Sequence, residues 1–425
     1  MAHHLEPHGY SALVERLNRF PQGAPPSDLL YRILGVLFSE QEAALASRLP
    51  LRPFSAQAAA RAWNLQLAET QKLLDELAGR ALLVDMEYRG EMTYVLPPPM
   101  AGFFEFSMMR LRDDLDQRLL AELYHQYINV EDEFITALLA GGETQLGRML
   151  VHEPAFSPEN ALTVLDYERA THVIESASDI GVSLCYCRHK MQHLGRNCEA
   201  PLDICMSFNG AAQSLVKHGH ARGVDAVECR ELLARAYEHG LVQFSENVRQ
   251  TASFICNCCG CCCEAMIGAR RFGASRSIHT TNFMPEVRSD TCNGCGKCAV
   301  ACPVEGMTLV SANDPQRPQR RRAKVDEQSC LGCGVCVRAC PNGSISLRSR
   351  PERVITPVNS AHRIVMMAIE RGTLQHLVFD GASAGHRALA AVLGAILKLP
   401  PLKQALASRQ VKSRFLEAAI ARLGY

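Results

Sequence analysis

Cysteine is absent before Cys185 and after Cys340 in this 425-residue chain, although the protein contains 19 cysteines. Small secreted proteins held by disulfides carry an even set of cysteines along a short chain, so this odd, crowded set is not a disulfide framework. The crowding between Cys185 and Cys340 instead indicates metal ligation in a reducing compartment.

An excess of charge of one sign is also missing, because 45 Lys and Arg residues stand against 44 Asp and Glu residues. Global charge therefore indicates neither a nucleic-acid nor a membrane partner. No apolar run reaches the roughly 18–20 residues that span a bilayer, and residues 1–10 lack the basic and apolar regions of a signal peptide. We expect a cytoplasmic protein without a membrane span.

Sequence motifs for nucleotide binding and for radical S-adenosylmethionine chemistry are absent as well. No G-x-G-x-x-G follows a strand, and no G-x-x-x-x-G-K-[ST] occurs. The C-x3-C-x2-C spacing of a radical S-adenosylmethionine site is not found either. We therefore expect an electron carrier or an oxidoreductase subunit more readily than a stand-alone enzyme, and catalytic residues stay unknown.

Two runs of identical spacing give the strongest signal. Residues 292–303 read CNGCGKCAVACP and residues 330–341 read CLGCGVCVRACP, and both follow C-x2-C-x2-C-x3-C-P. Three thiolates in a glycine-containing loop can hold three corners of a [4Fe–4S] cubane, because glycine lets the backbone wrap closely. Structural zinc sites use separated C-x2-C pairs, so two zinc ions fit this pattern poorly.

These runs resemble the bacterial two-[4Fe–4S] ferredoxins. The resemblance implies a small (βαβ)2 domain at residues 284–350 with crossed ligation, in which the last cysteine of each run serves the other cluster. The implied ligands are Cys292, Cys295, Cys298 and Cys340 for one cluster, and Cys330, Cys333, Cys336 and Cys302 for the other.

A basic insertion separates the two runs. Residues 284–350 contain ten basic and six acidic side chains, a net charge of +4. Charge of this sign can offset the negative charge of the clusters or dock an acidic redox partner, and both interpretations stay open. The basic residues of the insertion are Arg317, Arg320, Arg321, Arg322 and Lys324.

A second cysteine-rich region occupies residues 185–283. Its first four cysteines have basic neighbours, which lower thiol pKa values and offset cluster charge, so we predict a third [4Fe–4S] cluster on them. A zinc site, a redox-active thiol pair, or ligation by His189 and His193 are the alternatives. The predicted ligands are Cys185, Cys187, Cys198 and Cys205.

The run ICNCCGCCCE places six thiols within eight residues. Neighbouring side chains of a strand point to opposite faces, so these thiols cannot all reach one cubane. We predict ligands of a fourth cluster or a zinc site, partners of the first group, or redox-active thiols, whereas the isolated Cys229 is expected to be a buried small hydrophobe. The candidates are Cys256, Cys258, Cys259, Cys261, Cys262 and Cys263.

The cysteine-free N-terminal region shows helices followed by two strands around Arg89 and Gly90, which resembles a winged-helix domain. Its expected recognition helix and wing are net acidic, so DNA binding is not expected. The predicted fold is α+β and multidomain: a winged-helix-like domain at 1–99, a helical middle at 100–184, a cysteine-rich module at 185–283, a (βαβ)2 ferredoxin-like domain at 284–350 and a helical C-terminal region at 351–425.

The whole chain resembles multicluster iron–sulfur proteins of anaerobic bacteria, in which a CxCR…CNCC-type module precedes a two-cluster ferredoxin. This resemblance supplies no substrate. We predict an electron-transfer protein that passes single electrons through the two ferredoxin clusters and one or more upstream clusters. The alternatives are an oxidoreductase subunit with a substrate-binding cluster within residues 185–263, and a redox-sensing winged-helix regulator.

Overall fold

The computed structural model is mixed α/β and divides into two compact units. Unit 1 contains residues 1–144, 210–222 and 360–425, and unit 2 contains residues 145–209 and 223–359. All 19 cysteines therefore belong to unit 2. The residues that the structure describes are 8–88, 90–140, 142–156, 163–273, 278–379 and 384–397. Arg89 of the expected wing and the end of the expected C-terminal helical region, 398–425, lie outside these ranges.

Unit 1 is mainly helical. Its elements up to residue 144 are α1 His8–Arg19, α2 Asp28–Leu37, α3 Glu40–Ser47, β1 Phe54–Ser55, α4 Ala56–Trp63, α5 Leu67–Gly79, β2 Val84–Tyr88, β3 Glu91–Val95, α6 Phe104–Phe106, α7 Gln117–His125 and α8 Asp132–Ala140. Polar side chains set the starts of its helices: Ser39 and Glu42 form the predicted capping box of α3, and Ser55 caps α4. The three strands pair in the order β1-β3-β2.

Unit 2 is built around a six-stranded sheet with the order β4-β8-β9-β6-β5-β7. The elements from residue 147 to residue 287 are β4 Gly147–Met149, α9 Ala170–Ser176, β5 Ile180–Leu184, α10 Tyr186–His193, β6 Asp203–Phe208, α11 Asn209–Lys217, β7 Arg222–Gly223, α12 Ala226–Glu238, β8 Val242–Glu246, β9 Phe254–Cys258, α13 Glu264–Phe272 and β10 Phe283–Val287. Most of α11 belongs to unit 1.

The elements that follow are α14 Lys297–Val300, β11 Met307–Ser311, β12 Arg321–Val325, α15 Val335–Ala339, β13 Ile345–Ser349, α16 Ser360–Glu370, α17 Leu374–Val378 and α18 Ala384–Leu397. In unit 2, β10 pairs antiparallel with β13, and β11 pairs antiparallel with β12. Each cysteine run lies between a strand of one pair and a strand of the other pair. Among the described helices, none has both the length and the apolar character of a membrane-spanning segment.

The region predicted as a helical middle, 100–184, also contains strands: β4 lies between α8 and α9, and β5 ends the region. The chain passes from unit 1 to unit 2 at Gln145, and β4 and β5 then join the six-stranded sheet. Most residues of these two strands are buried. β5 lies between β6 and β7 and has the mostly apolar sequence IGVSL, whereas β4 is an edge strand with the sequence GRM. Because the residues around Gly147 are polar, the pattern of apolar residues did not predict β4.

The two faces of the six-stranded sheet pack against different apolar cores. Ile255 on β9 packs into an apolar core with Met206 and Phe208 of β6. Cys256 and Cys258 project to the other face, because side chains alternate along a strand, and they pack with Val242 and other residues of a second core. The sheet therefore delivers the thiols of β9 to a single face.

Candidate metal centres

A cavity of about 300 Å³ lies inside the first ferredoxin run. A backbone N–H of Ala323 donates to Cys292 Sγ at 3.4 Å, and that of Ser344 donates to Cys340 Sγ at 3.2 Å. Such donors favour negative charge on sulfur. The cysteines that line this cavity are Cys292, Cys295, Cys298 and Cys340.

A second cavity, of about 350 Å³, lies inside the other run. Its loop needs Gly332, which has φ +71°, and an added Cβ there would collide with the carbonyl oxygen of Phe283. The backbone N–H of Gly332 donates to Cys330 Sγ at 3.4 Å. The cysteines that line this cavity are Cys302, Cys330, Cys333 and Cys336.

Both cavities suit a [4Fe–4S] cluster. Each combines three thiols of one run with the last thiol of the other run, as the ferredoxin resemblance implies. Each also has main-chain N–H groups directed at sulfur and a loop that only glycine fits closely. Four thiols around a space of this size are the donor set of a cubane.

The upstream cysteines separate into two groups. The first, called here the inner thiol group, consists of Cys185, Cys187, Cys258 and Cys263. Cys185 precedes α10 and Cys187 lies in its first turn, whereas Cys258 ends β9 and Cys263 precedes α13. The Sγ atoms of Cys258 and Cys263 are 3.2 Å apart, and Cys187 hydrogen-bonds to both Cys185 and Cys263.

The second group, called here the outer thiol group, consists of Cys198, Cys259, Cys261 and Cys262. Its four Sγ atoms all lie within 4.8 Å of one another. Cys262 Sγ is 3.7 Å from Cys261 Sγ and 3.9 Å from Cys198 Sγ. Cys198 comes from the loop after α10, and the other three come from the turn between β9 and α13, in which only Cys261 is exposed.

Arg188 is the buried cation next to both groups. It is 1% exposed, and its Nη1 donates to the carbonyl oxygen of Asn257 at 3.1 Å. Burial lowers the pKa of this guanidinium, but the charges of Cys185 and Cys259 outweigh burial and raise the pKa. Arg188 therefore offsets negative charge on inner and outer thiols together.

Hydrogen bonds between thiols lower the pKa of one partner in each group. A hydrogen bond from Cys262 lowers the pKa of Cys259 to about 4, although burial opposes this change. Hydrogen bonds from Cys187 and Cys258 lower the pKa of Cys263 well below its ordinary value. Thiolate is the form that binds metals, so Cys259 of the outer group and Cys263 of the inner group are in the form that binds a metal.

A buried ion pair joins the helices that carry the inner thiols. Lys190 of α10 and Glu264 of α13 are 0% and 2% exposed, and their charged atoms are in direct contact. Sequence reading did not identify this pair. The only signal was a lysine and a glutamate, each close in the chain to a predicted ligand. The pair fixes α10 against α13.

The turn that carries the outer thiols is packed directly on the ferredoxin run. A Cβ added at Gly260 would approach Pro303 to 2.9 Å at its carbonyl oxygen and 3.0 Å at its Cα. Arg270 Nη1 donates to the carbonyl oxygens of both Gly260 and Pro303. Pro303 follows the ligand Cys302, so the two cysteine regions are in contact at this point.

The structure does not bring the four predicted ligands of a third cluster together. Cys185 and Cys187 belong to the inner thiol group, whereas Cys198 belongs to the outer thiol group. Cys205 lies on β6 one residue before Met206, which pairs with Ile255, so the register places Cys205 beside Cys256 of β9. Contacts between segments that are distant in the sequence decide these groups, and spacing does not show them.

Two further predictions can be compared with the structure. The Nε2 atoms of His189 and His193 are 3.2 Å apart, and neither histidine is part of the outer thiol group. Cys229 is completely buried in the other core, as expected. Burial raises its pKa to about 12, so it is an inert thiol.

The basic insertion is only partly free for docking. Arg320 donates to the carbonyl oxygens of Ser289, Asp290 and Cys292, which fixes the first cysteine loop. Arg321 and Lys324 on β12 are exposed. Arg317 is exposed as well but is paired with Asp314 at 3.3 Å, so the exposed charge without such a pair in the insertion includes Arg321 and Lys324, on the strand whose Ala323 N–H donates to Cys292 Sγ.

Comparison with known protein families supports this chemistry. Residues 291–344 match the family of 4Fe-4S dicluster domains. Together with the clustered cysteines, this match supports an iron–sulfur protein with an electron-transfer role. The match covers the two ferredoxin runs and ends before the C-terminal helices. No curated protein is similar enough to the chain to count as a match.

Proposed function

We propose that the chain is an electron carrier that exchanges single electrons with a redox partner through iron–sulfur centres held by the ferredoxin cysteines and by the inner thiol group. When bound, a [4Fe–4S] cluster takes up and releases one electron at a potential set by burial, charge and hydrogen bonds to its sulfurs. The residues of this chain supply those three influences at each centre.

The observation that carries the proposal is a shared apolar core. Cys258 and Cys263 of the inner thiol group pack in the same buried cluster as Cys333, with Cys302 and Cys187 against its edge. Met149, Val242 and Val304 fill the remaining space. Inner thiols and ferredoxin thiols therefore line one continuous region from which water is excluded, a place where neighbouring centres can exchange electrons.

The partner is proposed to approach at the other ferredoxin cavity. Cys295 is exposed there, and Arg321 and Lys324 are exposed on the neighbouring strand β12. Positive charge beside an exposed ligand attracts a negatively charged protein surface and orients it during encounter. We therefore propose an acidic redox partner, and expect its association to slow as ionic strength rises.

The two alternatives are not favoured. A DNA-reading role needs basic residues on α5 and on the β2–β3 hairpin, but Glu69, Asp75 and Glu76 are exposed on α5. Asp85 of β2 is buried and bonded to Ser214 and Lys217. For an oxidoreductase subunit, no described contact identifies a substrate at the upstream cysteines.

Counting iron and acid-labile sulfide on anaerobically purified protein tests the proposal. Three [4Fe–4S] clusters require about twelve irons per chain. Cys258→Ser should remove about four irons and leave the electron paramagnetic resonance signals of the ferredoxin pair. Cys229→Ser is the matched control, because Cys229 is equally buried but lies in the other core, and it should remove none.

Two outcomes would contradict the proposal. A chain that holds about eight irons, unaltered by Cys258→Ser, has no iron–sulfur centre on the inner thiol group. A fully loaded chain that dithionite cannot reduce, or that returns no electron to an acceptor afterwards, is not an electron carrier.

A further inference from the structure

The outer thiol group differs from the other cysteine sets in that all of its sulfur atoms are mutually close, whereas the inner thiol group contains one close pair, Cys258 and Cys263, with Sγ atoms 3.2 Å apart. All four Sγ atoms lie within 4.8 Å of one another, and two of the separations are 3.7 and 3.9 Å. Within the described ranges, no other set of three or more Cys, His, Asp or Glu ligand atoms is this compact. The ferredoxin cysteines instead line the two cavities described above.

Simple geometry relates this spacing to the number of metal ions. Four thiolates bound to one ion at about 2.3 Å, in a tetrahedron, are about 3.8 Å from each other. The thiolates of a cubane each bind a different iron, so the cluster core holds them farther apart. The separations of 3.7 and 3.9 Å in the outer thiol group match a single ion.

We propose that Cys198, Cys259, Cys261 and Cys262 hold one tetrahedral zinc ion that is separate from every iron–sulfur centre. Four thiolates are the donor set of a closed structural zinc site. Arg188, beside Cys259, offsets part of the net negative charge that four thiolates leave on a divalent ion. This inference does not depend on the proposed electron transfer.

The position of the site suggests what the ion does. Along the chain, Cys258 is inner, Cys259, Cys261 and Cys262 are outer, and Cys263 is inner again. An ion on the outer thiols fixes the backbone of this turn and joins it to the loop of Cys198, which lies much earlier in the sequence. It thereby holds Cys258 and Cys263 in the orientation that the inner group requires, as a positioning element.

Metal analysis of paired variants tests the site. We expect about one zinc per chain in the unaltered protein. The double variant Cys198→Ala/Cys261→Ala should lose at least nine-tenths of this zinc and keep the ferredoxin iron. Cys295→Ala is the matched control, because Cys295 and Cys261 are both exposed, and it should lose iron and keep zinc.

A second measurement needs no variant. X-ray absorption at the zinc edge of the intact protein should show four sulfur neighbours at about 2.3 Å and no metal neighbour. Cobalt exchanged into the site should give the intense visible bands of a tetrahedral tetrathiolate. A metal neighbour at the zinc edge, zinc unchanged in the double variant, or iron lost from it in place of zinc would overturn the inference. Iron and zinc counts are separate, so failure of either proposal is visible alone.

Discussion

The ferredoxin domain and the upstream cysteine-rich region solve the same problem of gathering thiols in different ways. In the ferredoxin domain, three of the four cysteines at each cavity come from one short loop. Upstream, each group combines segments that are far apart in the sequence, such as Cys187 with Cys263 and Cys198 with Cys262. The ferredoxin ligand sets are encoded mainly by local sequence, whereas the upstream thiol groups form only after the sheet has formed.

This difference explains which metal centres depend on the fold around them. A local loop can bind its cluster with little help, whereas the upstream groups need α10, β9 and α13 in place first. Metal binding to a site that the unfolded chain lacks contributes to folding free energy. The upstream region should therefore be the more sensitive to changes in the scaffold, and the ferredoxin region to changes in its own loops.

The largest effect is expected from breaking the buried Lys190–Glu264 ion pair. Lys190→Met removes the cation that contacts the buried carboxylate of Glu264, and breaking a buried ion pair in this way costs about 3–5 kcal/mol. Because the pair joins α10 to α13, iron on the inner thiol group should be lost while the ferredoxin iron is kept. Anaerobic urea unfolding with iron counts measures both effects.

Two controls sharpen this test. Lys72→Met breaks the exposed Lys72–Glu76 pair, with its 3.8 Å separation, and should change the unfolding free energy by less than about 0.5 kcal/mol. The double variant Lys190→Met/Glu264→Leu removes both charges and should be less destabilised than Lys190→Met alone. Equal losses from Lys190→Met and Lys72→Met would show that the buried pair does not hold the upstream scaffold.

Cysteine spacing predicted the ligand sets of the ferredoxin domain but not the upstream groups, because spacing reports only residues that are close in the chain. Spacing identified the ferredoxin runs, because three cysteines of each cavity lie in one short loop. The glycines of these loops have positive φ in the structure. Strand alternation predicted that the six thiols from Cys256 to Cys263 cannot all reach one cubane, and the structure places Cys258 and Cys263 apart from the group of Cys259, Cys261 and Cys262. Spacing assigned Cys198 to the group of Cys185, because nothing in the spacing shows that the distant turn between β9 and α13 approaches it.

One signal in the sequence could have gone further. Cys258 and Cys259 are neighbours at the end of a strand, so their side chains diverge, and alternation alone predicts that they serve different groups. The start of α3, the start of α4 and the pairing of β2 with β3 followed directly from capping and turn residues. The contact between the loop of Cys198 and the turn between β9 and α13 depends on tertiary packing, so local sequence patterns do not predict it.

An intermediate effect is expected at the proposed docking face of the ferredoxin domain. Reversing both exposed charges, in Arg321→Glu/Lys324→Glu, should slow reduction of a small acidic ferredoxin about tenfold or more at low salt and weaken its dependence on ionic strength. Iron content should be unchanged. Stopped-flow mixing of the reduced protein measures the rate.

The exposed Lys72 of α5 supplies the control for this change of charge. Lys72→Glu alters net charge but lies in the unit without cysteines, so its effect on the rate should be under about twofold at physiological salt. If both variants slow the reaction equally, net charge controls the rate and the face on β12 does not.

The smallest effect is expected in unit 1, which serves as a baseline free of metal chemistry. His220 is 1% exposed and its Nε2 is 2.9 Å from the carbonyl oxygen of Gly79. Burial, together with the charges of Arg110 and Arg112, lowers the pKa of His220 from 6.5 to about 4. Between these values the unfolded chain binds a proton that the folded chain does not, so stability is complete above pH 6.5 and falls as pH drops toward 4.

At pH 5.5 this single group should cost about 1 kcal/mol of the unfolding free energy relative to pH 7.5. Trp63 is the only tryptophan and lies in unit 1, so its fluorescence reports that unit alone. His220→Gln should flatten the pH profile of the Trp63 transition, whereas His239→Gln at an exposed position should not. If the pH profile of the Trp63 transition is as steep in His220→Gln as in the unaltered protein, another group in unit 1 takes up the proton. The acid sensitivity of unit 1 would then come from a contact other than that of His220.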